Sequence, residues 1–180
     1  MRNNGVMRWF TKSSSLPADL TAELRRLRPE AGRVLAVGRA AGMTVAGCTE
    51  CLALHREAPG AGEQQWQFIG WHLVTRGGWN QQSNELRWTL VDDTHGSVVL
   101  EEPGALPDVF RDRVRASIVV EQSFVAPGGG HVVVAGRRRL GVEGPIVWQV
   151  TTLGSARLTT PEVAEFATAR VADMRLDYGG

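Results

Sequence analysis

The chain lacks the features that would place it in a membrane, on a nucleic acid or among exported proteins. No apolar run in its 180 residues approaches the ~18 residues of a membrane span. The net charge is only +1, so overall electrostatics does not indicate a nucleic-acid or membrane-surface partner. The first residues, MRNNGVMRWFTKSSS, lack the apolar segment of a standard signal peptide. These absences predict a cytoplasmic protein without a transmembrane segment.

Cysteine, lysine and catalytic motifs are equally scarce. The only cysteines are Cys48 and Cys51, and in a reducing compartment they predict reduced thiols and not a disulfide framework. Lys12 is the only lysine among 20 basic residues, a codon bias typical of GC-rich bacterial genomes. No G-x-S-x-G, H-E-x-x-H or P-loop pattern is present. The motifs therefore predict no catalytic residue and no cofactor.

Tryptophan is abundant, and four of the six lie in the stretch Trp66–Val91. Leu86–Val91 alternates between apolar and polar residues, which predicts a half-buried antiparallel strand. Trp66–Thr75 is apolar on both faces and predicts a more deeply buried strand. Gly77-Gly78 and the polar run 80–84 supply turn residues between them. We expect a central hairpin whose tryptophans serve core and cross-strand packing more than ligand binding.

Helices are predicted where apolar residues recur at helical spacing: Leu16–Leu27, Leu106 to about Glu121, and Pro161 to about Leu176. Ser14 or Ser15 is expected to cap the first helix, and Thr159-x-x-Glu162 matches a capping box before the last. The β-branched run Ile118–Val120 suits a strand equally well, so the end of the second helix stays open. Further strands are predicted at Val34–Ala40, Met43–Arg56 (one long or two short), Ser97–Glu101, His131–Leu140 and Ile146–Thr152.

The C-x-x-C pair Cys48 and Cys51 is the strongest candidate for chemistry. Such a pair can be a redox couple or half of a zinc site, and His55 and His72 are weak candidates for further ligands. However, a second ligand pair is missing, and the flanks predict strand and not the helix start that lowers a thiol pKa. In one extended strand the two thiols would face opposite sides, so they converge only if a turn interrupts it. Packing as small buried hydrophobes is the favoured interpretation.

The run Arg137-Arg138-Arg139 lies in a predicted strand, so Arg137 and Arg139 would share one face. They form a candidate interaction patch for a phosphate or acidic group. The alternative is a solvated strand face or protection of a sheet edge.

The order of elements from Arg33 to Glu121 resembles a bacterial pleckstrin-homology-like (PH-like, GRAM-like) β-roll. The matching features are the strand–turn–strand opening at Val34–Leu54, Trp71-His72-Leu73-Val74, and Leu86-x-Trp88-x-Leu90. The whole chain is also similar to a group of conserved actinobacterial proteins that have no assigned activity. The resemblance implies an α+β fold, an antiparallel β-roll or barrel of about seven or eight strands with an N-terminal helix and two amphipathic helices.

The predicted organisation is a flexible arm over residues 1–13 followed by a single domain over 14–180. Within that domain the roll covers about 33–121, and an extra hairpin and the C-terminal helix cover 122–180.

Three functions follow as hypotheses. The first is a non-enzymatic cytoplasmic module that binds a protein, peptide or lipid headgroup, in which an oligomer is possible. The second is a thiol- or zinc-dependent protein using Cys48 and Cys51. The third is a small-molecule enzyme with a pocket between the roll and the final helix.

Overall fold

The computed structural model describes residues 15–60 and 64–179. Within these ranges it contains three helices and ten strands in three antiparallel sheets. The helices are α1 (Ala18–Leu27), α2 (Leu106–Ala116) and α3 (Pro161–Tyr178). The strands are β1 (Val34–Ala40), β2 (Met43–Cys48), β3 (Cys51–Arg56), β4 (Trp66–Gly70), β5 (Val74–Asn80), β6 (Glu85–Leu90), β7 (His95–Val99), β8 (Ile118–Val125), β9 (His131–Arg137) and β10 (Val147–Leu153). The antiparallel α+β class is confirmed, whereas the expected number of strands was too low. The arm predicted over residues 1–13 lies outside the described residues.

The first sheet has the strand order β1-β2-β3-β4, and the second has the order β5-β6-β7. A single 3₁₀ turn connects β4 to β5, and an antiparallel bridge between Arg39 and Glu102 joins β1 to the segment after β7. Helix α2 packs against β1, β2 and β5. Between the two sheets lies the main core, whose largest fully buried side chains include Trp71, Phe110 and Leu86.

The central hairpin differs from its prediction because Trp66–Thr75 is not one strand. A 3₁₀ turn at Trp71–Leu73 separates β4 from β5, and β4 pairs with β3 in the other sheet. The hairpin is formed by β5 and β6, and Gly77 lies inside β5 opposite Trp88. A Cβ atom at Gly77 would lie 2.7 Å from the Phe110 ring, so this glycine permits close approach of α2 and does not form a turn.

Helix α2 ends at Ala116, and the following β-branched residues form β8. The predicted extension of this helix to about Glu121 is therefore wrong. The Ser117 hydroxyl donates a hydrogen bond of 2.6 Å to the Val114 carbonyl at the helix end. The strand preference of Ile118–Val125 is satisfied by pairing with β9.

The third sheet has the order β10-β9-β8, and the predicted hairpin of the last two strands is confirmed. Helix α3 covers one face of this sheet through Val163, Ala167 and Met174. The N-cap residues are Pro17 at α1 and Thr160 at α3, so neither Ser15 nor Thr159 occupies the N-cap position, and neither N-cap residue makes a side-chain cap bond. The other predicted cap of α1, Ser14, lies outside the described residues.

Helix α1 lies on the outer face of the first sheet. Its Leu24 packs on a second core cluster that includes Val37, Ala46, Cys48 and Cys51. Both cysteines are therefore covered by this helix and by the 3₁₀ turn Pro29–Ala31 that follows it.

Candidate thiol site

A two-residue bend brings Cys48 and Cys51 together. The long segment from Met43 is two short strands, and Thr49 and Glu50 form the bend between them. Gly47 and Leu52 are paired across the strands, so the cysteines stand one step beyond an antiparallel pair. Facing residues in such a ladder are about 4.5–5.5 Å apart between Cα atoms and project to the same side. That separation lies within the range of about 4.4–6.8 Å that a disulfide requires.

The two amide groups of the bend are fixed by the segment after α1. The Thr49 amide donates to the Arg33 carbonyl at 2.9 Å, and the Glu50 amide donates to the Ala31 carbonyl at 3.0 Å. The Thr49 hydroxyl accepts a hydrogen bond of 3.1 Å from the Arg33 amide. Gly32, with φ of +76°, lets this segment lie against the Thr49 side chain, because a Cβ there would be 2.8 Å from Thr49 Cβ.

The carbonyl groups of the bend are bound by two side chains from distant parts of the chain. Trp71 Nε1 donates to the Cys48 carbonyl at 3.1 Å. Arg113 of α2 donates to the Thr49 carbonyl from Nε at 3.1 Å and from Nη2 at 2.9 Å. With its backbone groups bound from both sides, the bend presents the two sulfur atoms in one preorganised arrangement.

The two thiols interact with each other and differ in acidity. Interaction with the Cys48 thiol lowers the pKa of Cys51, with a further contribution from Arg28, whereas burial, Glu50 and Glu30 oppose this shift. Interaction with Cys51 and burial raise the pKa of Cys48, whose Sγ atom lies 3.9 Å from the Ala46 carbonyl as its hydrogen-bond donor. Cys51 is therefore the thiol that ionises first, and Cys48 keeps its proton.

Cys51 lines a cleft of about 250 Å³. Cys48 is completely buried, whereas Cys51 retains 3% of its surface. The other polar residues that line the cleft are Arg28, Glu30, Glu50, His72 and Arg139. The thiol with the lowered pKa is thus also the one that faces the cleft.

The carboxyl group of Glu50 and the ring of His72 lie in the cleft without full hydrogen-bond partners. Among the described residues, no group hydrogen-bonds the buried Glu50 Oε2 and His72 Nδ1 atoms. Burial raises the pKa of Glu50, although Arg113 and Arg139 oppose it. Burial and then the charge of Arg139 lower the pKa of His72, so its ring is neutral at pH 7. Unpaired polar atoms in a cleft beside a thiol with a lowered pKa are an arrangement typical of binding or catalytic sites.

The remaining metal-ligand candidate, His55, does not join this site. It lies four residues beyond Cys51 on β3, about 13 Å along the strand, with its ring 4.7 Å from that of Trp66. In the part of the chain that the structure describes, no three His, Cys, Asp or Glu side chains converge in a way that could hold a metal ion. His55 is therefore not placed to complete a four-ligand site with Cys48, Cys51 and His72.

Comparisons of this chain with protein families, with curated proteins and with solved structures found no match. Its function is therefore argued from its own residues. Within residues 15–60 and 64–179, no helix is both long enough and apolar enough to span a membrane.

Arg137 and Arg139 do not form one exposed patch. Strand β9 ends at Arg137, which is only 6% exposed, whereas Arg139 follows the strand and lines the thiol cleft. Arg137 donates to the Val114 carbonyl at 2.6 Å, to Ser117 Oγ at 2.9 Å and to Gln149 Oε1 at 3.0 Å.

This arginine also supports the cleft indirectly. The Gln149 amide, held by Arg137, donates to the His72 carbonyl at 2.9 Å. Arg137 therefore links α2, the third sheet and the 3₁₀ turn that carries His72. Burial lowers the pKa of Arg137, and the charge of Glu121 opposes this shift. Hydrogen bonds to three neutral acceptors replace those that the guanidinium group would make to water.

We predict that Arg137→Met destabilises the protein by about 2–4 kcal/mol, because Gln149 Oε1 and the Val114 carbonyl lose the buried guanidinium group that donates hydrogen bonds to them. Urea denaturation measures this change. Arg115→Met, an exposed arginine on the same helix end, serves as the control and should change stability by less than about 0.5 kcal/mol. Equal effects of the two substitutions would contradict the assigned role.

No sequence pattern singled out several of the residues that surround the cleft. Arg28, Glu30 and Arg113 are ordinary charged residues in or after amphipathic helices, and only folding brings them to the bend. Arg139 and His72 were singled out, but for a surface patch and a metal site. The C-x-x-C spacing was the one signal that located the site.

Proposed function

We propose that this protein acts through its dithiol, with Cys51 as the attacking thiolate and Cys48 as the resolving thiol in thiol–disulfide exchange. The observation that carries this proposal is the fixed bend, which holds the two thiols side by side with only Cys51 on a cleft. Both thiols are reduced in the structure. The proposal selects the thiol-dependent hypothesis and does not require zinc.

The reaction proceeds in two displacement steps. The Cys51 thiolate attacks one sulfur of a substrate disulfide, the substrate S–S bond breaks, and the first substrate thiolate leaves and takes a proton from water. The Cys48 sulfur then attacks Cys51 in the mixed disulfide, and the second substrate thiolate leaves with the proton that Cys48 gives up. The substrate disulfide is reduced to two thiols while Cys48 and Cys51 are oxidised to a disulfide. A cellular dithiol or two monothiols would return the protein to its reduced form.

The pKa of Cys48 should fall between the first step and the second. Its pKa is raised by the interaction with the Cys51 thiol and by the charge of Cys51. Both effects disappear once Cys51 is bound to substrate, because the sulfur in a mixed disulfide carries no charge. Cys48 therefore becomes easier to ionise when it is needed as the second nucleophile.

The test is turnover of bis(2-hydroxyethyl) disulfide with glutathione as the reductant. Wild type should accelerate the reaction over the uncatalysed rate, and Cys51→Ser should abolish the acceleration. Cys48→Ser should accumulate as a mixed disulfide that mass spectrometry detects. Wild-type turnover that is unchanged in Cys51→Ser, or an absence of turnover in wild type, would contradict the proposal.

We also propose that residues 33–121 form the PH-like roll that the sequence resembles. In support, a four-stranded and a three-stranded antiparallel sheet enclose one core, and a helix that follows them packs against strands of both. The third sheet and α3 are then additions to this plan.

A non-enzymatic binding module is the second candidate function. Its support is a groove of about 500 Å³ between β5 and α2, lined by Trp79, Phe110, Val114 and Ile118 and bordered by Arg111 and Arg115. The two proposals differ in one clear way. A binding module tolerates replacement of both cysteines by serine, whereas a dithiol protein loses its activity.

A further inference from the structure

Two arginines at the thiol cleft share a single carboxylate. Arg28 Nε lies 3.1 Å from Glu30 Oε1, and Arg139 Nη2 lies 3.8 Å from the same oxygen. Among residues 15–60 and 64–179, neither arginine has another carboxylate within ion-pair distance. Arg28 also lies over the ring of Phe68, 5.6 Å from its centroid, which fixes the plane of its guanidinium group.

These ion pairs leave most of the guanidinium donors available. Each guanidinium carries five N–H groups, and each uses only one nitrogen on Glu30. Both side chains are partly exposed, at 42% for Arg28 and 35% for Arg139. The unused N–H groups can therefore bind an incoming oxyanion in the forked geometry that arginine favours.

The other charged groups around the cleft do not cancel this charge. The Glu50 carboxylate lies against Gly141, where a Cβ atom would be 2.6 Å from Oε1. Arg113, bound to the adjacent Thr49 carbonyl, exerts a larger charge effect on Glu50 than Arg139 does. The His72 ring is neutral. With Glu50 and Arg113 included, the fixed charges are three arginines and two carboxylates, a net of one positive charge before Cys51 ionises.

We propose that the cleft selects disulfides that carry a carboxylate or another oxyanion close to the sulfur, with Arg28 and Arg139 binding that group. This inference rests on the proposed thiol–disulfide exchange at Cys51. The cleft of about 250 Å³ is below the usual range of about 300–1,000 Å³ for small-molecule sites. It therefore accommodates a small disulfide or one end of a longer one.

The test compares two aromatic disulfides that react with Cys51 and differ in charge. 5,5′-Dithiobis(2-nitrobenzoate) carries two carboxylates, and 4,4′-dithiodipyridine is neutral at pH 7. The readout is the ratio of their second-order rate constants. This ratio cancels any change in the nucleophilicity of Cys51, which matters because Arg28 also lowers the pKa of that thiol.

The double variant Arg28→Gln, Arg139→Gln should lower the anionic-to-neutral ratio by about fivefold to thirtyfold, the effect of losing two partly exposed charge interactions. Glu30→Gln should raise the ratio, because it removes the carboxylate that competes for both arginines. Arg25→Gln, an exposed arginine in the last turn of α1, is the matched control and should leave the ratio unchanged. High salt should bring the wild-type ratio close to that of the double variant.

A ratio that is the same in wild type, the double variant and Glu30→Gln would overturn the assignment of the arginines, even if both reagents react rapidly. That result would leave thiol exchange intact. In contrast, reaction of both reagents with the folded protein no faster than with the urea-unfolded chain would contradict the proposed function itself and the selectivity with it. The two failures are therefore distinguishable in one experiment.

Discussion

Cys51→Ser lowers the rate at which the folded protein reacts with iodoacetamide at pH 7 by at least about a hundredfold. The reason is that the thiolate is the nucleophile, and Cys51 alone combines a lowered pKa with a position on the cleft. The other thiol, Cys48, is fully buried and has a raised pKa, so it reacts only when the protein opens. The rate for wild type should rise with pH to a midpoint below the ordinary thiol value of about 8.5. Mass spectrometry of the alkylated protein identifies the modified residue.

Two substitutions at Cys48 provide the controls for this prediction. Cys48→Ser keeps an O–H donor for the Cys51 thiolate, so the midpoint should remain close to that of wild type. Cys48→Ala removes the donor, so the pKa of Cys51 should rise and the reaction at pH 7 should slow. Preferential alkylation of Cys48, or identical midpoints in all three proteins, would show that the interaction between the thiols does not control reactivity.

Trp71→Ala should destabilise the protein by about 3–5 kcal/mol, as expected for a fully buried large aromatic side chain. Trp71 has no exposed surface, its ring meets that of Phe110 edge to face at 5.8 Å, and its Nε1 atom donates to the Cys48 carbonyl. The substitution therefore removes core packing together with the hydrogen bond to the Cys48 carbonyl. Denaturation by urea measures the change in the free energy of unfolding.

Trp71→Phe separates these two contributions. Phenylalanine keeps much of the aromatic volume but has no N–H group, so we expect a smaller loss of about 1–3 kcal/mol, part of it from the lost hydrogen bond to the Cys48 carbonyl. The bend should also become less rigid, which predicts faster hydrogen exchange at the Thr49 and Glu50 amides. Unchanged stability and exchange in Trp71→Phe would contradict the role of the indole in fixing the bend.

Much of the fold could be predicted because local patterns and tertiary packing agree. The alternation of Leu86, Trp88 and Leu90 gave the correct strand, and Leu86 and Trp88 are buried as expected. The prediction of one strand over Trp66–Thr75 was wrong, because a run that is apolar on both faces does not show where the chain passes from one sheet to the next. The 3₁₀ turn at Trp71 is specified by contacts with Cys48 and Phe110, which lie 23 and 39 residues away in sequence.

The site could be predicted only in part. The spacing of Cys48 and Cys51 identified the thiols, and the sequence correctly implied that they meet only across a turn. Whether Met43–Arg56 turns depends on Arg113 and Arg33, which bind the backbone of Thr49 from outside that segment. The charged residues around Cys51 likewise come from four separate stretches of chain, at positions 28–30, 50, 113 and 139, and no sequence pattern connects them. Arg137, assigned to a candidate interaction patch from its position in an arginine run, is buried because Gln149 of β10 and the end of α2 supply acceptors for its guanidinium group.

The central claim is that Cys48 and Cys51 form a reversible dithiol–disulfide couple within the native fold. The most direct measurement is a redox titration with reduced and oxidised glutathione, followed by alkylation of the remaining thiols and mass spectrometry of the intact protein. The account predicts one two-electron transition from a doubly alkylated protein to an unalkylated protein with a Cys48–Cys51 disulfide, and a far-ultraviolet circular dichroism spectrum that stays native throughout. Persistent double alkylation across all glutathione ratios, or a disulfide that forms only in the unfolded chain, would contradict it.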